Sequence, residues 1–206
     1  MKKMNNKGFS LVELIIVIAI MAILAGAIAP ALIRYIDKSR KSNDVSSCKT
    51  IKTAIETALG NESIYELITT TKDYCYIYVT PGEATGSTTG TGAEKCIKID
   101  NEGTGTDGKI NGKKVEDIEK MAQNEIGTNI GEKTPKLKYK KNAGDSTKTD
   151  PVEFVGVVSK KGTVYVFISC STAGSMKVEE DKDVGVVVKT EFGGYQVCPN
   201  ICDEYQ

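Results

Sequence analysis

The chain has 206 residues with 27 basic and 27 acidic side chains; a formal charge of zero argues against a dedicated nucleic-acid binder, which needs a basic excess. It contains no histidine, which removes the commonest general base, a common zinc ligand and every Ser/His/Asp or Cys/His catalytic set. With 40% hydrophobic and 26% charged residues it is a folding chain, long enough for one domain plus an appendage.

The continuous apolar character is concentrated in residues 9–33, FSLVELIIVIAIMAILAGAIAPALI, which hold a single charge, Glu13. As a helix this segment spans roughly 37 Å, more than the ~30 Å hydrocarbon core of a bilayer. The leader MKKMNNKG looks like the basic region of a secretory signal, and Ala27-Ile28-Ala29 offers a small-residue cleavage site. Pro30 directly after that site disfavours the cut, and the apolar run exceeds the usual signal length. Glu13 suits neither a signal peptide nor a plain anchor: Asp, Lys or Arg at the centre of a membrane helix costs about 2.5–3.5 kcal/mol, and Glu is comparable. Lysines 2, 3 and 7 on one side and Arg34, Lys38, Arg40 and Lys41 on the other leave the positive-inside count undecided.

The helical pattern continues past the apolar segment. Ile36, Val45, Cys48, Ile51, Ile55 and Leu59, spaced mostly by three or four from Val45 on, form one apolar stripe with Lys and Ser opposite. Gly60 is a stop signal. The spacing predicts one helix over 9–59, ~77 Å long, that Gly26 and Pro30 loosen or kink.

Lys7-Gly8-Phe9-Ser10-Leu11-Val12-Glu13-Leu14-Ile15 resembles the prepilin N-terminus of type IV pilins and the related pseudopilins. The resemblance implies that a membrane-embedded aspartyl peptidase cuts between Gly8 and Phe9 and N-methylates Phe9. Glu13 and Pro30 stand where that family places its Glu and Pro. The implied organisation is a cleaved leader 1–8, a long helix 9–59 whose part 9–33 is the transmembrane segment and filament core, and a globular head 60–206. The implied fold is α+β, a long helix packed on an antiparallel sheet. Cleavage removes three lysines and leaves a formal charge of −3. In lipid, the new Phe9 amine and the Glu13 carboxylate are both poorly solvated, so each favours an opposite charge strongly. Glu13 is expected to pair with the Phe9 amine of a neighbouring subunit and set register, as buried polar groups do in coiled coils.

In the rest of the chain, 63–68 reads as a short helix and 74–79, YCYIYV, as a strand. Residues 80–94 form a Gly/Thr/Ser loop, 96–99 a short strand, and 101–112 a second Gly-rich loop ending in an Asn111-Gly112 turn. Residues 114–126 read as a helix with Val115, Ile118, Met121 and Ala122 on one face, and 127–150 as loop with a strand near 137–140. A hairpin joins 152–159 to 163–170 through Lys160-Lys161-Gly162, with Val164, Val166, Ile168 and Cys170 on one face. Strands at 184–189 and 195–198 complete an expected antiparallel meander packed on the stripe of the long helix.

Cys48, Cys75, Cys96, Cys170, Cys198 and Cys202 are even in number, and an extracytoplasmic head permits disulfides. Fifteen connectivities are possible; Cys170 with Cys198 or Cys202, and Cys75 with Cys96, are the expected pairs. Buried thiols and a zinc site are the alternatives, the latter weak because Cys198-x-x-x-Cys202 is half a site without histidine. Gly103–Ile110 resembles a phosphate loop but has Ile110 where Ser or Thr must hold magnesium. Asp100, Glu102, Asp107 and Asn111 could surround calcium, although their spacing breaks the EF-hand pattern. Glu179, Glu180, Asp181 and Asp183 with Lys177 and Lys182 read as a charged turn, and Lys136, Lys138, Lys140 and Lys141 as protection on an edge strand rather than a DNA contact.

Taken with the resemblance, the expected function is structural: a type IV pilus subunit without cofactor or metal, inserted in the cytoplasmic membrane as a single-pass precursor and polymerised into an extracellular filament. Expected partners are the prepilin peptidase, the pilus assembly machinery, the membrane and further copies of the chain. The alternatives are a pseudopilin of a type II secretion or competence system and, in another class, a membrane-anchored extracytoplasmic binding domain that never polymerises.

Overall fold

A computed structural model describes residues 10–70, 73–81, 96–100, 109–131, 133–139, 150–170, 175–181, 185–188 and 193–205. The segments expected as Gly-rich loops at 82–94 and 101–108 lie outside these residues, as do Lys140, Lys141, Lys182 and Asp183. The chain divides into two compact units, 1–39 and 40–206, and helix α1 (Leu11–Ala58) supplies residues to both.

In the second unit, α1 buries Asp44, Val45, Cys48, Ile51, Ala54, Ile55 and Ala58, the one-sided pattern of a helix lying on a core. The helix closes where Gly60 donates to the Thr57 carbonyl (3.0 Å) and Asn61 to that of Ala58 (3.1 Å). Asn61 then caps α2 (Glu62–Thr69), its side-chain oxygen accepting from the Ser63 N–H at 3.1 Å. Helix α2 buries Ile64, Leu67 and Ile68. Helix α3 (Val115–Ile130) buries Val115, Ile118, Ala122 and Ile126 and packs against α2; it runs four residues beyond the expected end.

The main sheet is antiparallel throughout. It contains β1 (Tyr74–Val79), β2 (Ile97–Asp100), β5 (Glu153–Ser159), β6 (Val164–Ser169) and β9 (Gly194–Cys198) in the order β2-β1-β5-β6-β9. Between them, β3 (Lys109–Ile110) and β4 (Lys113–Lys114) form a small hairpin on the expected turn, with Asn111 and Gly112 both at positive φ. The alternation of β1 separates two faces. Cys75, Ile77 and Val79 share one face with Phe154, Val158, Val164, Val166 and Ile168, and this face joins the helices in the larger core. Tyr76 and Tyr78 lie on the other with Val155, Val157 and Phe167.

That second face corrects the expected meander. The strand expected at 184–189 is not in the main sheet. It is β8 (Gly185–Val188), paired only with β7 (Val178–Asp181) in a separate hairpin. Met176, Val178 and Val186 lay this hairpin's apolar side on the tyrosine face. The Tyr78 hydroxyl donates to the Met176 carbonyl (3.1 Å), and the Val178 N–H donates to the Tyr76 hydroxyl (3.2 Å). Residues 179–181, expected in a charged turn, are therefore strand; the exposed Glu179 and Glu180 are compatible with a hairpin that has only one side to bury. The head is thus layered as helices, sheet and hairpin, a larger core than one sheet on one helix.

The strand expected near 137–140 is also replaced. Leu137 and Tyr139 are buried, but the segment is irregular. Its Lys138 and Tyr139 N–H groups donate to Asp44 Oδ1 and Oδ2, each at 2.8 Å. Lys41 Nζ stands 4.9 Å over the Tyr139 ring, and Tyr205 meets that ring edge-on at 5.9 Å. A buried carboxylate on α1 thus does what a neighbouring strand would otherwise do for these N–H groups.

Burial raises the Asp44 pKa above its ordinary 3.8, against the lowering by the Lys138 and Tyr139 N–H groups. A raised folded-state pKa contributes stability that is complete below pH 3.8 and is lost as pH rises through the folded value. Denaturant titrations should therefore show the margin of wild type over the non-titrating Asp44→Asn shrinking from pH 3 to pH 7, while Asp44→Ala, which strands the buried Tyr139 N–H, costs about 1–3 kcal/mol. At the centre of the sheet, Gly156 leaves room for the Ile55 side chain of α1, whose Cδ1 a Cβ would strike. Gly156→Ala should cost about 1–3 kcal/mol by overpacking, and Ile55→Val, which removes Cδ1, should recover part of that in a double-mutant cycle.

Candidate functional site

The first unit is described from Ser10 onward and is helical from Leu11. Its apolar side chains are exposed on every side, from Leu11 at 73% to Ile23 at 72% and Ile33 at 56%. By length and composition the segment is able to cross a membrane. Burying each such side chain is worth about 1.5–3 kcal/mol, so this unit has a large unmet requirement for apolar surroundings.

Glu13 sits in the first turn, where the Ser10 N–H donates to its Oε2 at 2.9 Å. An acid here complements the positive end of the helix dipole and satisfies one of its orphan donors. Pro30 is interior to α1; lacking an N–H, it leaves the Gly26 carbonyl without its helical donor. Gly8 and Phe9 lie outside the described residues.

The six cysteines all belong to the second unit and are present as thiols. Neither expected bridge fits the sheet register. Cys198 lies opposite Val166, whereas the Cys170 N–H donates to the Gly193 carbonyl, four residues along β6. That is about 13 Å of strand at ~3.4 Å per residue, against the ~4.4–6.8 Å between α-carbons that a disulfide needs. Cys202 folds back beside Gln196, opposite Phe167, and is likewise displaced from Cys170. Cys75 and Cys96 are five pairs apart along β1 and β2, since the Thr80 N–H bonds the Cys96 carbonyl. Instead, Cys48 of α1 shares the core with Cys198, and Cys202 packs at its margin. Burial pushes the Cys48 thiol up, with Cys198, Asp44 and Cys202 adding to the effect. Burial likewise pushes Cys75 up to about 12.

The other candidate clusters are dispersed. Asp100 pairs with Lys177 at 3.0 Å, and Asn111 donates to Glu66, so neither is directed to a shared calcium position; Glu102 and Asp107 lie outside the described residues. Among the described residues no group of His, Cys, Asp or Glu is arranged to hold a metal ion. Most of the phosphate-loop look-alike also lies outside them. Two features were missed in the sequence. Asp44 carried no signal beyond a charge on an apolar stripe. A tyrosine-lined cleft on the second sheet face was foreshadowed by the alternation of Tyr74, Tyr76 and Tyr78.

Comparison with known proteins gives one family match, which lies within the first unit. Residues 3–29 match the family described as the prokaryotic N-terminal methylation motif. The chain is 46% identical over 57 residues to the type IV major fimbrial protein FimA of Dichelobacter nodosus, covering 28% of this chain and 36% of that one. It is 49% identical over 54 residues to fimbrial protein Q of Moraxella bovis, covering 26% and 34%. It is 37% identical over 71 residues to prepilin peptidase-dependent protein A of Clostridium perfringens, covering 34% and 51%. The chain thus spans about a third to a half of the length of these curated relatives. No solved structure matches it. The likeness therefore rests on the N-terminal third of the chain, where the methylation motif and the fimbrial relatives coincide, and the second unit is a helix packed on an antiparallel sheet.

The thiolate is the reactive form of cysteine, and at pH 8 a thiol with a pKa of about 12 holds only about one part in ten thousand as thiolate. Cys48 and Cys75 should accordingly resist iodoacetamide in the folded protein and label fully in urea, as read by mass spectrometry of the tryptic peptides.

Proposed function

We propose that this chain is a structural subunit of a type IV pilus and not an enzyme. The observation that carries this reading is an all-round apolar helix headed by one acid, joined to a prepilin-type cleavage sequence. A prepilin peptidase cuts between Gly8 and Phe9 and methylates the new Phe9 amine. The precursor is held in the cytoplasmic membrane by residues 9–33. Assembly machinery then moves that helix out of lipid into a bundle of sister helices, with the head on the filament surface.

Lipid tails are as apolar as the helix, so apolar burial alone gives the helices no reason to leave the bilayer for one another. A poorly solvated carboxylate is different: Glu13 gains from an opposite charge far more in lipid than in water. The Phe9 ammonium of a neighbouring subunit supplies that charge and fixes the stagger. The Ser10 N–H that Glu13 holds in the single chain is a weaker substitute, since a neutral dipole brings no opposite charge to the carboxylate.

The test is Glu13→Val expressed in the source cell. The variant should insert and be trimmed normally, with N-terminal methyl-Phe found by mass spectrometry, yet contribute little or nothing to sheared surface fibres. Full incorporation would remove the pairing role. An intact Met1 terminus in wild type would instead support a simple anchor that does not polymerise.

A further inference from the structure

The hairpin β7–β8 does not cover the whole second face of the sheet. The row Tyr78-Val155-Phe167 lies beneath it and is buried. In the next row Tyr76 and Val157 are buried and Tyr165 is half-buried; in the outermost, Tyr74 and Ser159 are half-buried and Thr163 is exposed. Beside these rows lies a cleft of about 700 Å³, within the range of small-molecule sites. The β5–β6 turn, with Lys160 and Lys161, forms one side, and Lys177, Glu179 and Glu180 of the hairpin the other.

The lining chemistry narrows the ligand. Three ammonium groups (Lys160, Lys161, Lys177) and three carboxylates (Asp73, Glu179, Glu180) line the cleft, and Lys177 is already paired with Asp100, so the cleft has no excess positive charge with which to favour a polyanion. Lys177 Nζ stands 4.3 Å over the Tyr76 ring and already occupies the cation-binding face, which disfavours a quaternary ammonium ligand. Tyr74 and Tyr165 are half-buried and remain as aromatic surfaces. They stand on β1 and β6 with only β5 between and are two residues out of register, Tyr74 opposite Ser159 and Tyr165 opposite Val157; about 10 Å across the sheet and ~7 Å along it put them roughly 12 Å apart. A sugar ring presents weakly positive C–H groups to the negative face of an aromatic ring, and its hydroxyls both donate and accept. Two tyrosine platforms this far apart fit the first and third rings of a short chain better than one small solute, and the surrounding carboxylates and ammonium groups complement hydroxyls.

We propose that this cleft binds a neutral oligosaccharide, with Tyr74 and Tyr165 as stacking platforms and the flanking lysines and carboxylates as hydroxyl partners. The inference does not depend on polymerisation, since every lining residue belongs to the second unit.

The experiment uses the full chain in a detergent without a sugar headgroup, with chitotriose, maltotriose and a heparin tetrasaccharide as probes. Saturation-transfer NMR detects the bound sugar, and tyrosine emission reports on the protein, which has no Trp. At least one neutral trisaccharide should bind saturably. Tyr74→Ala should weaken it tenfold or more at unchanged melting temperature, and Tyr74→Phe should retain it. Thr163→Arg, on the exposed turn, should obstruct the cleft and abolish binding even if Tyr74→Ala perturbs folding. Absence of neutral-sugar binding up to 20 mM, preference for the heparin fragment, or binding unaffected by Thr163→Arg would overturn the proposal.

Discussion

An apolar helix surface that finds no cover in its own chain is the constraint on which this protein turns. From Leu11 to Ile33 the side chains of α1 are exposed on all sides, and water is a poor environment for them. Two surroundings can satisfy them, a bilayer and a bundle of like helices. Because both are apolar, the choice between them falls to a small number of polar groups. Glu13 is the one charge in the segment, so under the proposed assembly a single ionic contact would carry the preference while the apolar residues make either state tolerable.

The same helix meets a different demand further on. After residue 40 its apolar residues narrow to a stripe, and that stripe is matched to one sheet face. Gly156 marks the closest approach, where the absence of a side chain admits Ile55. Asp44 serves the other edge of the stripe by holding the 138–139 backbone, and the tyrosines 139, 195 and 205 close over it. The head is held to α1 by packing and by one buried carboxylate together. Burying such a group is worthwhile only because both of its oxygens accept hydrogen bonds.

What was legible in the sequence follows from the range of the interactions involved. The stripe Val45, Cys48, Ile51, Ile55 shows a helical period, β1 alternates cleanly, and the β5–β6 hairpin carries its own turn; each was readable because its signal is local. The pairing of β1 with β5 is not local, and nothing in YCYIYV specifies it. Glu179 and Glu180 read as a turn because charge density suggests solvent, yet one hydrophobic side is sufficient for a covering hairpin. Leu137 and Tyr139 alternate like a strand, but the Lys138 and Tyr139 N–H groups donate to a side chain 94 and 95 positions earlier. The cysteine pairings failed for the same reason: sequence proximity to a turn says little when strand register places the α-carbons several residues apart.

This division explains where the likeness to other proteins falls. The family motif covers 3–29, inside the leader and the apolar helix. There, nearly every position has a physical duty under the proposed assembly: the cut site, the acid, the proline and a surface acceptable to both lipid and sister helices. The head has fewer fixed duties toward assembly. It must keep one stripe against one sheet, and many sequences of suitable volume and pattern satisfy such a core. Its outer edge is therefore open to other uses, and the half-buried Tyr74 and Tyr165 beside β7–β8 are where this chain has placed aromatic rings, hydroxyls and charges of both signs together.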